Sequence, residues 1–331
     1  MTARLAILGA GSWGTALAVV LAPRSHQVRL WMRDAQRAEA VRRLRENRQY
    51  LPGVRLPENV EPVADLRLAV AEADVVLVVV PSQSLRELAA CLKGVMSRPV
   101  PIISAIKGLE ERSRFRMSQV LQQTLGGEFP VAVLSGPAFA RELAAREPAA
   151  MVIASEDAQL ASRLQEALSS PTLRLYRSRD VAGVELGGAL KNVIAIGAGI
   201  CHGLELGSNA LAALITRGLA EITRLATALG AQARTLSGLA GLGDLVLTCT
   251  GPLSRNRQLG IELARGRSLE EALASTHMVS EGVATTRVAV ELADALGVEL
   301  PISRQMYAVL YEGKPPRAAL GELMERTLKE E

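Results

Sequence analysis

The sequence predicts a two-domain α/β protein: an N-terminal Rossmann-type, doubly wound, mostly parallel sheet, followed by a C-terminal all-helical domain. Three observations lead to this fold class. Short apolar runs alternate with amphipathic stretches through the first half of the 331-residue chain. A glycine-rich turn follows the first of these runs, and strand-like runs stop after about Asp180. Alternating strands and helices are typical of parallel sheets with helices on both faces.

Seven runs of aliphatic and β-branched residues are predicted to be strands. Several are continuously apolar, as expected of strands that are buried on both faces. Amphipathic stretches between them predict helices, for example over Thr15–Ala22, Ser82–Leu92 and Arg114–Leu125. The predicted strands are Arg4–Leu8, Gln27–Trp31, Val75–Val80, Pro101–Ala105, Val131–Leu134, Met151–Ala154 and Leu173–Tyr176.

From Val181 nearly to the end of the chain the pattern is helical. Glycine and proline clusters predict the breaks between these helices. We therefore expect a dinucleotide-binding Rossmann-type domain over residues 1–180 and an all-helical substrate and catalytic domain over residues 181–331. The predicted breaks are Gly197–Gly203, Gly238–Gly243, Gly251-Pro252 and Pro315-Pro316.

Composition and charge exclude several classes of protein. Apolar residues make up 49% of the chain and charged residues 22%, which is typical of globular rather than disordered proteins. The net charge is only +4 and aromatic residues are 3%, so we expect no nucleic-acid partner. Charged and polar residues interrupt the apolar stretch Val193–Ala220, which favours a buried helix pair over a membrane span.

The cysteines and histidines bear on location and on metals. Cys91, Cys201 and Cys249 are isolated and odd in number, which suits a reducing compartment. No histidine has a second ligand at helical or turn spacing, so we expect no metal site. Strand-like residues begin at Arg4 without an apolar leader, so we expect no signal peptide and a cytoplasmic protein.

The first predicted strand runs into a loop that is typical of dinucleotide binding. Gly9-Ala-Gly-Ser-Trp-Gly14 stands between a strand and a helix, as the G-x-G-x-x-G pattern requires. Gly9 allows the tight turn, Gly11 lets the backbone approach a diphosphate, and Gly14 permits close packing of helix on strand. The diphosphate is expected at the helix N-terminus, where N–H groups and the helix dipole favour an anion.

The end of the second strand bears on the choice of cofactor. A carboxylate there commonly holds the ribose 2′-hydroxyl of NAD, whereas an arginine accommodates the 2′-phosphate of NADP. Arg33 comes first after the strand, with Asp34 beside it. The sequence therefore favours NADP, or use of both cofactors, over strict NAD. The alternative interpretation is that Arg33 is a solvated loop residue.

Only five of the 38 basic residues are lysines, and two of them lie in apolar, glycine-rich surroundings. A partly buried ammonium group can have its pKa lowered and can transfer a proton, which a guanidinium cannot. Lys107 and Lys191 are therefore candidates for chemistry or for anion binding. Asp244 follows the glycine-rich segment Gly238–Gly243, a tight connection that is suited to direct its carboxylate into a cleft. The alternative is a buried ion pair that only holds helices together.

A cluster of hydrogen-bond donors follows ten residues after Asp244. Ser254-Arg-Asn-Arg257 supplies a hydroxyl, two guanidinium groups and an amide within four residues. Such a set suits a dianionic phosphate, because arginine binds phosphate with paired donors. The alternative interpretation is a surface loop.

Seven segments, in order along the chain, carry a resemblance to a known family. They are Gly9–Ala16, Asn47–Gly53, Ser135–Ala140, Glu185–Asn192, Gly238–Leu245, Ser254–Arg257 and Glu281-Gly282. They resemble the motifs of bacterial NAD(P)-dependent glycerol-3-phosphate dehydrogenases over nearly the whole chain. The resemblance implies reversible hydride transfer between NAD(P)H and dihydroxyacetone phosphate, giving sn-glycerol 3-phosphate for glycerophospholipid biosynthesis. It also points to a homodimer.

The resemblance implies roles for particular residues. Lys191 would be the general acid/base, with Asp244, Asn192 and Thr248 beside it. Substrate contacts are implied for Lys107, Gly136, Ala138, Lys191, Asp244, Ser254, Arg255 and Asn256. Cofactor contacts are implied for Gly9, Gly11, Ser12, Trp13, Gly14, Arg33, Lys107, Ala140, Arg255, Val279 and Glu281.

Two other functions fit parts of the pattern. Another two-domain β-hydroxy-acid dehydrogenase would also combine a Rossmann domain, a helical domain and a lysine, but a carboxylate substrate does not need the Ser254–Asn256 donors. A dinucleotide-sensing regulator would bind NAD(P)H without turnover. It would not need Lys191, Lys107 and Asp244 together, and the sequence carries no recognisable effector or DNA-binding module.

Overall fold

A computed structural model of the chain describes residues 3–274 and 280–328. The chain forms two compact units. The first runs to Lys107 and resumes over Phe115–Val184. The second comprises Gly108–Arg114 and the chain from Glu185 onward. A short segment from within the first half of the sequence therefore belongs to the C-terminal unit.

The first unit is built on one eight-stranded sheet. Its strands are β1 Ala3–Leu8, β2 Ser25–Trp31, β3 Val60–Val63, β4 Val75–Val78, β5 Ile102–Ser104, β6 Val131–Ser135, β7 Ala149–Ala154 and β8 Leu173–Ser178. Their order in the sheet is β3-β2-β1-β4-β5-β6-β7-β8. Neighbouring strands are parallel, except that β6 and β7 are antiparallel. The predicted doubly wound, mostly parallel sheet is confirmed.

Helices cover both faces of this sheet. Leu5 and Ile7 of β1 belong to one apolar core, and Ala6 and Leu8 belong to another, because successive side chains of a strand point to opposite faces. The helices of this unit are α1 Ser12–Leu21, α2 Ala35–Leu44, α3 Leu66–Val70, α4 Leu85–Val95, α5 Met117–Leu125, α6 Ala140–Ala144 and α7 Ala158–Leu168.

Strand β3 is absent from the strands that the sequence predicts. It lies at the edge of the sheet and pairs with β2, from Val28 opposite Val60 to Trp31 opposite Val63. Pro62 in its interior cannot donate a hydrogen bond, which argues against a central strand but is tolerated at an edge. The four-residue Val-Glu-Pro-Val run is therefore a strand because of its place beside β2.

The second unit is helical in the part of the chain that the structure describes. Helix α8 extends over Val181–Gly203, and its most apolar 18-residue window is 94% buried. It is the one described helix long and apolar enough to cross a membrane, and its burial is that of a core helix. The following helices are α9 Ser208–Ala228, α10 Ala233–Leu236, α11 Asp244–Thr250, α12 Arg255–Ala264, α13 Leu269–Ala274, α14 Glu281–Leu296, α15 Pro301–Tyr311 and α16 Pro316–Met324.

The predicted break over Gly197–Gly203 comes only at the end of that range, because α8 continues through Gly197 and Gly199 and ends at Gly203. They serve close packing instead. A Cβ on Gly199 would lie 2.0 Å from the carbonyl oxygen of Arg257, and a Cβ on Gly260 would lie 2.0 Å from that of Ile196. Helices α8 and α12 therefore touch backbone to backbone.

The other three predicted breaks have different outcomes. Gly251-Pro252 separates α11 from α12, and Pro315-Pro316 lies where α15 gives way to α16, as predicted. The Gly238–Gly243 segment separates α10 from α11, as predicted, but most of it is not an irregular loop. Its residues Leu239–Gly243 form a π-helical turn that leads directly into α11. Such turns are frequent at functional sites.

Replacing Gly260 tests the backbone contact between α8 and α12. Gly260→Ala places a methyl group against a main-chain carbonyl that cannot move alone, so we expect a loss of about 1–3 kcal/mol or more in the free energy of unfolding. The matched control is Gly321→Ala in α16, where a Cβ meets nothing within 4 Å. That control is expected to be neutral or slightly stabilising. Equal stability of the two variants in denaturant unfolding would contradict the contact.

Candidate functional site

The three glycines of the loop between β1 and α1 serve two different purposes. Gly9 has φ +119°, and its Cβ would lie 2.5 Å from the carbonyl oxygen of Val79. A Cβ on Gly14 would lie 1.8 Å from the carbonyl oxygen of Gly9. These two glycines are required by the fold itself. Gly11 has an ordinary extended backbone, and a Cβ there would meet nothing within 4 Å.

The open space at Gly11 fits a dinucleotide. Gly11 is the N-cap of α1 and has no side chain with which to cap the first turn. A diphosphate favours such a position because backbone N–H groups and the helix dipole both point toward it. The loop therefore has the shape that a cofactor diphosphate needs, and no packing by the residues that the structure describes explains a glycine at this position.

A buried asparagine that received no role from the sequence braces this loop. Asn47 is fully buried, and its Nδ2 donates to the carbonyl oxygen of Ala10 at 2.9 Å and to Thr15 Oγ1 at 2.8 Å. Ser12 Oγ donates to the carbonyl oxygen of Tyr50 at 2.5 Å. The turn over residues 47–50 thus fixes both ends of the loop. The one indication of a role in the sequence is that residues 47–50 lie in a segment that carries the family resemblance.

Trp13, Lys107 and Gly136 come together at the carboxyl ends of the parallel strands. Trp13 Nε1 donates to the carbonyl oxygen of Ala105 at 3.2 Å. Lys107 Nζ donates to the carbonyl oxygen of Gly136 at 2.8 Å and lies 6.0 Å from the centre of the Trp13 ring. Ligands of open α/β sheets bind at this edge. The three residues therefore lie where the fold predicts a binding site.

The segment after β6 carries three of the predicted contact residues. Gly136 has φ +137°, and its Cβ would lie 2.9 Å from the Cα of Met151, so only glycine fits there. Ala138 and Ala140 are partly buried against the apolar core of this unit, and Ala140 begins α6. Packing accounts for the small size of the two alanines, while their backbone groups are the parts that can contact a ligand.

Two charged residues follow β2: an exposed arginine and an aspartate that caps the next helix. Arg33 is exposed. Asp34 is the N-cap of α2 and accepts a hydrogen bond from the backbone N–H of Arg37 at 3.0 Å. The guanidinium of Arg37 stacks over the Tyr50 ring at 5.1 Å, an arrangement that the sequence did not reveal. Capping thus engages Oδ1 of the exposed Asp34 carboxylate.

Within the second unit, Lys191 and Asp244 form a buried ion pair. Lys191 Nζ lies 2.9 Å from Asp244 Oδ1 and donates to Thr248 Oγ1 at 2.5 Å. Thr248 Oγ1 in turn donates to the carbonyl oxygen of Asp244 at 2.6 Å. Lys191 is 5% exposed, Asp244 1% and Thr248 4%. Asn192 is buried beside them on α8. The structure brings together three of the four residues for which the resemblance implies a catalytic role, and the fourth, Asn192, is next to Lys191 in the chain.

Close packing of α8 on the π-helical turn brings the two charges together. Gly187 precedes Lys191 by one turn of α8, and its Cβ would lie 2.6 Å from the carbonyl oxygen of Ala240. Asp244 follows that turn at the start of α11. A glycine at position 187 therefore lets the turn approach α8 closely enough for the carboxylate to reach the lysine.

The Ser254–Asn256 donors lie at the N-terminus of the ten-residue helix α12. Ser254 is its N-cap, and Ser254 Oγ accepts a hydrogen bond from the backbone N–H of Arg257 at 3.3 Å. Arg255 is exposed and Arg257 is half-buried. Asn256 is buried, and its Oδ1 accepts from the N–H of Gly282 at 3.1 Å. A helix N-terminus with this donor set suits a phosphate group.

Two cofactor contacts that the resemblance implies lie near α14. Glu281 is half-buried and begins that helix. Val279 lies outside the described residues, as does His277. Among the described residues, no group of three or more histidine, cysteine or acidic residues could hold a metal ion.

The buried thiols of the second unit are not suited to act as nucleophiles. Loss of hydration on burial raises the pKa of Cys249, next to Thr248 in the chain, to about 12. Burial also raises the pKa of Cys201. Both thiols are therefore protonated at neutral pH, and the thiolate is the reactive form.

Family models match the chain in two parts. The model described as NAD-dependent glycerol-3-phosphate dehydrogenase N-terminus matches residues 4–161, and the C-terminus model of the same family matches residues 180–321. The chain belongs to the NAD-dependent glycerol-3-phosphate dehydrogenase family. The sequence resemblance is thereby confirmed.

Relatives in this family match the chain over its length. A glycerol-3-phosphate dehydrogenase (NAD(P)+) of Geobacter sp. (strain M21) is 50% identical and covers 100% of this chain and 99% of its own. The corresponding enzyme of Myxococcus xanthus (strain DK1622) is also 50% identical, over 99% of this chain and 98% of its own. The crystal structure of glycerol-3-phosphate dehydrogenase from Coxiella burnetii has a TM-score of 0.94 at 42% identity, covering 98% of this chain and 99% of that one.

Replacing Gly11 tests whether its open space serves a dinucleotide. Gly11→Val adds a side chain where the protein leaves room, so we expect folded protein whose NADPH binding is weakened by about tenfold or more. The control is Gly94→Val in α4, where a Cβ also meets nothing within 4 Å. Fluorescence titration measures the Kd of each variant. NADPH binding that is equal in Gly11→Val and in the control would contradict the assignment.

Proposed function

We propose that this protein catalyses reversible hydride transfer between NAD(P)H and dihydroxyacetone phosphate, giving sn-glycerol 3-phosphate for glycerophospholipid biosynthesis. The observation that carries the proposal is the buried Lys191–Asp244–Thr248 cluster, in a family member whose second unit also holds the Ser254–Asn256 donors at a helix N-terminus. A ketone phosphate needs both features: a proton donor for its oxygen and fixed donors for its phosphate.

Lys191 acts as the general acid in the reducing direction and as the general base in the reverse direction. The cofactor, when bound, supplies or accepts the hydride. Lys191 delivers a proton from Nζ to the ketone oxygen as negative charge develops there, and retrieves it in the oxidation. Asp244 and Thr248 hold the ammonium group in place through the contacts at 2.9 and 2.5 Å. Asn192 stands beside the ammonium as a further donor and acceptor.

The phosphate of the substrate is held by Ser254, Arg255 and Asn256. Ser254 Oγ accepts from within α12, so its hydroxyl proton can be donated to the phosphate. Arg255 supplies permanent positive charge, and the α12 dipole adds to it. Arg255 also contacts the cofactor in this proposal. These contacts do not change during hydride transfer, and they anchor the substrate for it.

Residues of the first unit complete the proposal. Lys107 contacts both cofactor and substrate, while Gly136 and Ala138 contact substrate through their backbone groups. The cofactor contacts are Gly9, Gly11, Ser12, Trp13, Gly14, Arg33, Lys107 and Ala140, together with Val279 and Glu281 from the C-terminal part of the chain.

We further propose that both cofactors are used and that NADP is favoured. Arg33 is exposed at the end of β2, while Asp34 accepts a hydrogen bond within α2. A guanidinium suits the 2′-phosphate, and a carboxylate that caps a helix is less available to a ribose hydroxyl.

The proposal includes a cytoplasmic homodimer. Support for the dimer comes from the family resemblance.

Substitutions of Lys191 test the function and the proton donor together. Wild-type protein is expected to oxidise NADPH and NADH when dihydroxyacetone phosphate is added, followed by absorbance. Lys191→Ala and Lys191→Arg should both lose about 100-fold or more in kcat, because a guanidinium keeps the charge but does not give up its proton.

The two outcomes that contradict this proposal are distinct. No oxidation of either cofactor by the wild type would refute the function. Normal turnover by Lys191→Arg would refute only the proton-transfer role. A β-hydroxy acid with NADP+, offered to the wild type as a control substrate, should give no reaction because it lacks the phosphate.

Replacing Arg33 tests the cofactor preference. Arg33→Ala should raise the KM for NADPH by about tenfold and leave the KM for NADH within about twofold, since only NADPH carries the 2′-phosphate. The exposed side chain is not needed for folding, so thermal stability should not change. Equal increases for the two cofactors would remove the argument from the 2′-phosphate.

A further inference from the structure

Three helices of the second unit meet at Gly282. Gly282 is buried in the first turn of α14, and its backbone N–H donates to Asn256 Oδ1 of α12 at 3.1 Å. A Cβ at this position would lie 2.7 Å from that oxygen and 2.9 Å from the carbonyl oxygen of Asn192 in α8. It would also lie 3.0 Å from Ile196 Cδ1. Position 282 therefore has room only for glycine.

Two of these helices, α8 and α12, bring a residue of the proposed site to this junction. Asn192 follows Lys191 in the chain, and Asn256 follows Arg255. The carbonyl that a side chain at 282 would meet is main chain, so α8 could yield only by moving its backbone. The contact at Gly282 thus sets how closely α14 approaches both the lysine-bearing helix α8 and the phosphate-binding helix α12.

The same contact fixes which way the Asn256 amide points. Gly282 presents an N–H, which requires an acceptor, so the oxygen of the amide must face α14. The NH₂ group is then directed away from Gly282. An amide held in this orientation offers donors rather than an acceptor, which suits a phosphate and not a cationic or hydroxyl group that needs an acceptor.

We propose that Gly282 is a positioning residue that holds the Asn256 amide, and with it the phosphate donors, in place relative to Lys191, and thereby sets the preference for a phosphorylated ketone. This inference rests on the proposed function. It differs from a purely structural role, because displacing α14 should harm use of the phosphate more than proton transfer. Misplacement of a bound substrate by about 1 Å can cost 100-fold in rate, and the phosphate is the remote group whose binding aligns it.

The test compares dihydroxyacetone phosphate with dihydroxyacetone, which has the same ketone and no phosphate. Gly282→Ala is expected to lower kcat/KM for dihydroxyacetone phosphate by about 100-fold and to change kcat/KM for dihydroxyacetone by less than about threefold. Gly321→Ala is the matched control, because it adds the same methyl group to a helix of the same unit without a contact. Its ratio of the two kcat/KM values should equal that of the wild type.

A second variant tests the amide orientation and serves if Gly282→Ala does not fold. Asn256→Asp still accepts the Gly282 N–H but presents oxygen instead of NH₂ to the phosphate. We expect this variant to fold. The ratio of kcat/KM for dihydroxyacetone phosphate to kcat/KM for dihydroxyacetone should fall by about tenfold or more.

An unchanged ratio in a folded Gly282→Ala protein, or in Asn256→Asp, would overturn the inference. A parallel loss with both substrates would also overturn it, since that is the mark of a merely structural residue. Failure of the wild type to reduce dihydroxyacetone phosphate would instead refute the proposed function.

Discussion

The buried ion pair between Lys191 and Asp244 is the interaction on which the second unit depends. Two charges that are 5% and 1% exposed cost several kcal/mol each to remove from water, and only close pairing and further hydrogen bonds offset that cost. The 2.9 Å contact and the Thr248 hydroxyl provide both. A well-packed apolar pair would serve stability as well or better. The proposed proton transfer by Lys191 would account for two charges at a place where stability alone does not require them.

Glycines on and against α8 make this pair possible. Gly187 lets the π-helical turn before Asp244 approach, and Gly199 with Gly260 lets α12 lie backbone to backbone on the same helix. Gly282 lets α14 pack closely against α8 at Asn192. The close contacts lie on either side of Lys191 along α8. The reacting end and the phosphate end of a small substrate can be held at a fixed separation only if such helices cannot slide.

Local chemistry explains what the sequence could and could not predict. Seven strands were predictable from their aliphatic and β-branched residues: five have apolar runs that are buried on both faces, while β2 and β8 bury alternate residues. In contrast, β3 is a strand only because it lies beside β2. The glycines of α8 were misread as a break, since nothing local distinguishes a flexible glycine from one pressed against a neighbouring carbonyl. The Gly9–Gly14 loop was recognisable from its order alone. The pairing of Lys191 with Asp244, 53 positions apart in the chain, followed from the family resemblance. The roles of Asn47, Arg37 and Gly282 required the packed structure.

A double-mutant cycle on the ion pair tests the central claim most directly. The free energy of unfolding is measured in denaturant for wild type, Lys191→Met, Asp244→Asn and the double variant. Each single variant leaves one buried charge without its partner, so its free energy of unfolding should fall by about 3–5 kcal/mol. In the double variant the fall should be smaller than the sum of the two single losses, by at least about 2 kcal/mol, and the protein should be inactive. Additive losses, or an active double variant, would contradict the account of a buried pair kept for proton transfer.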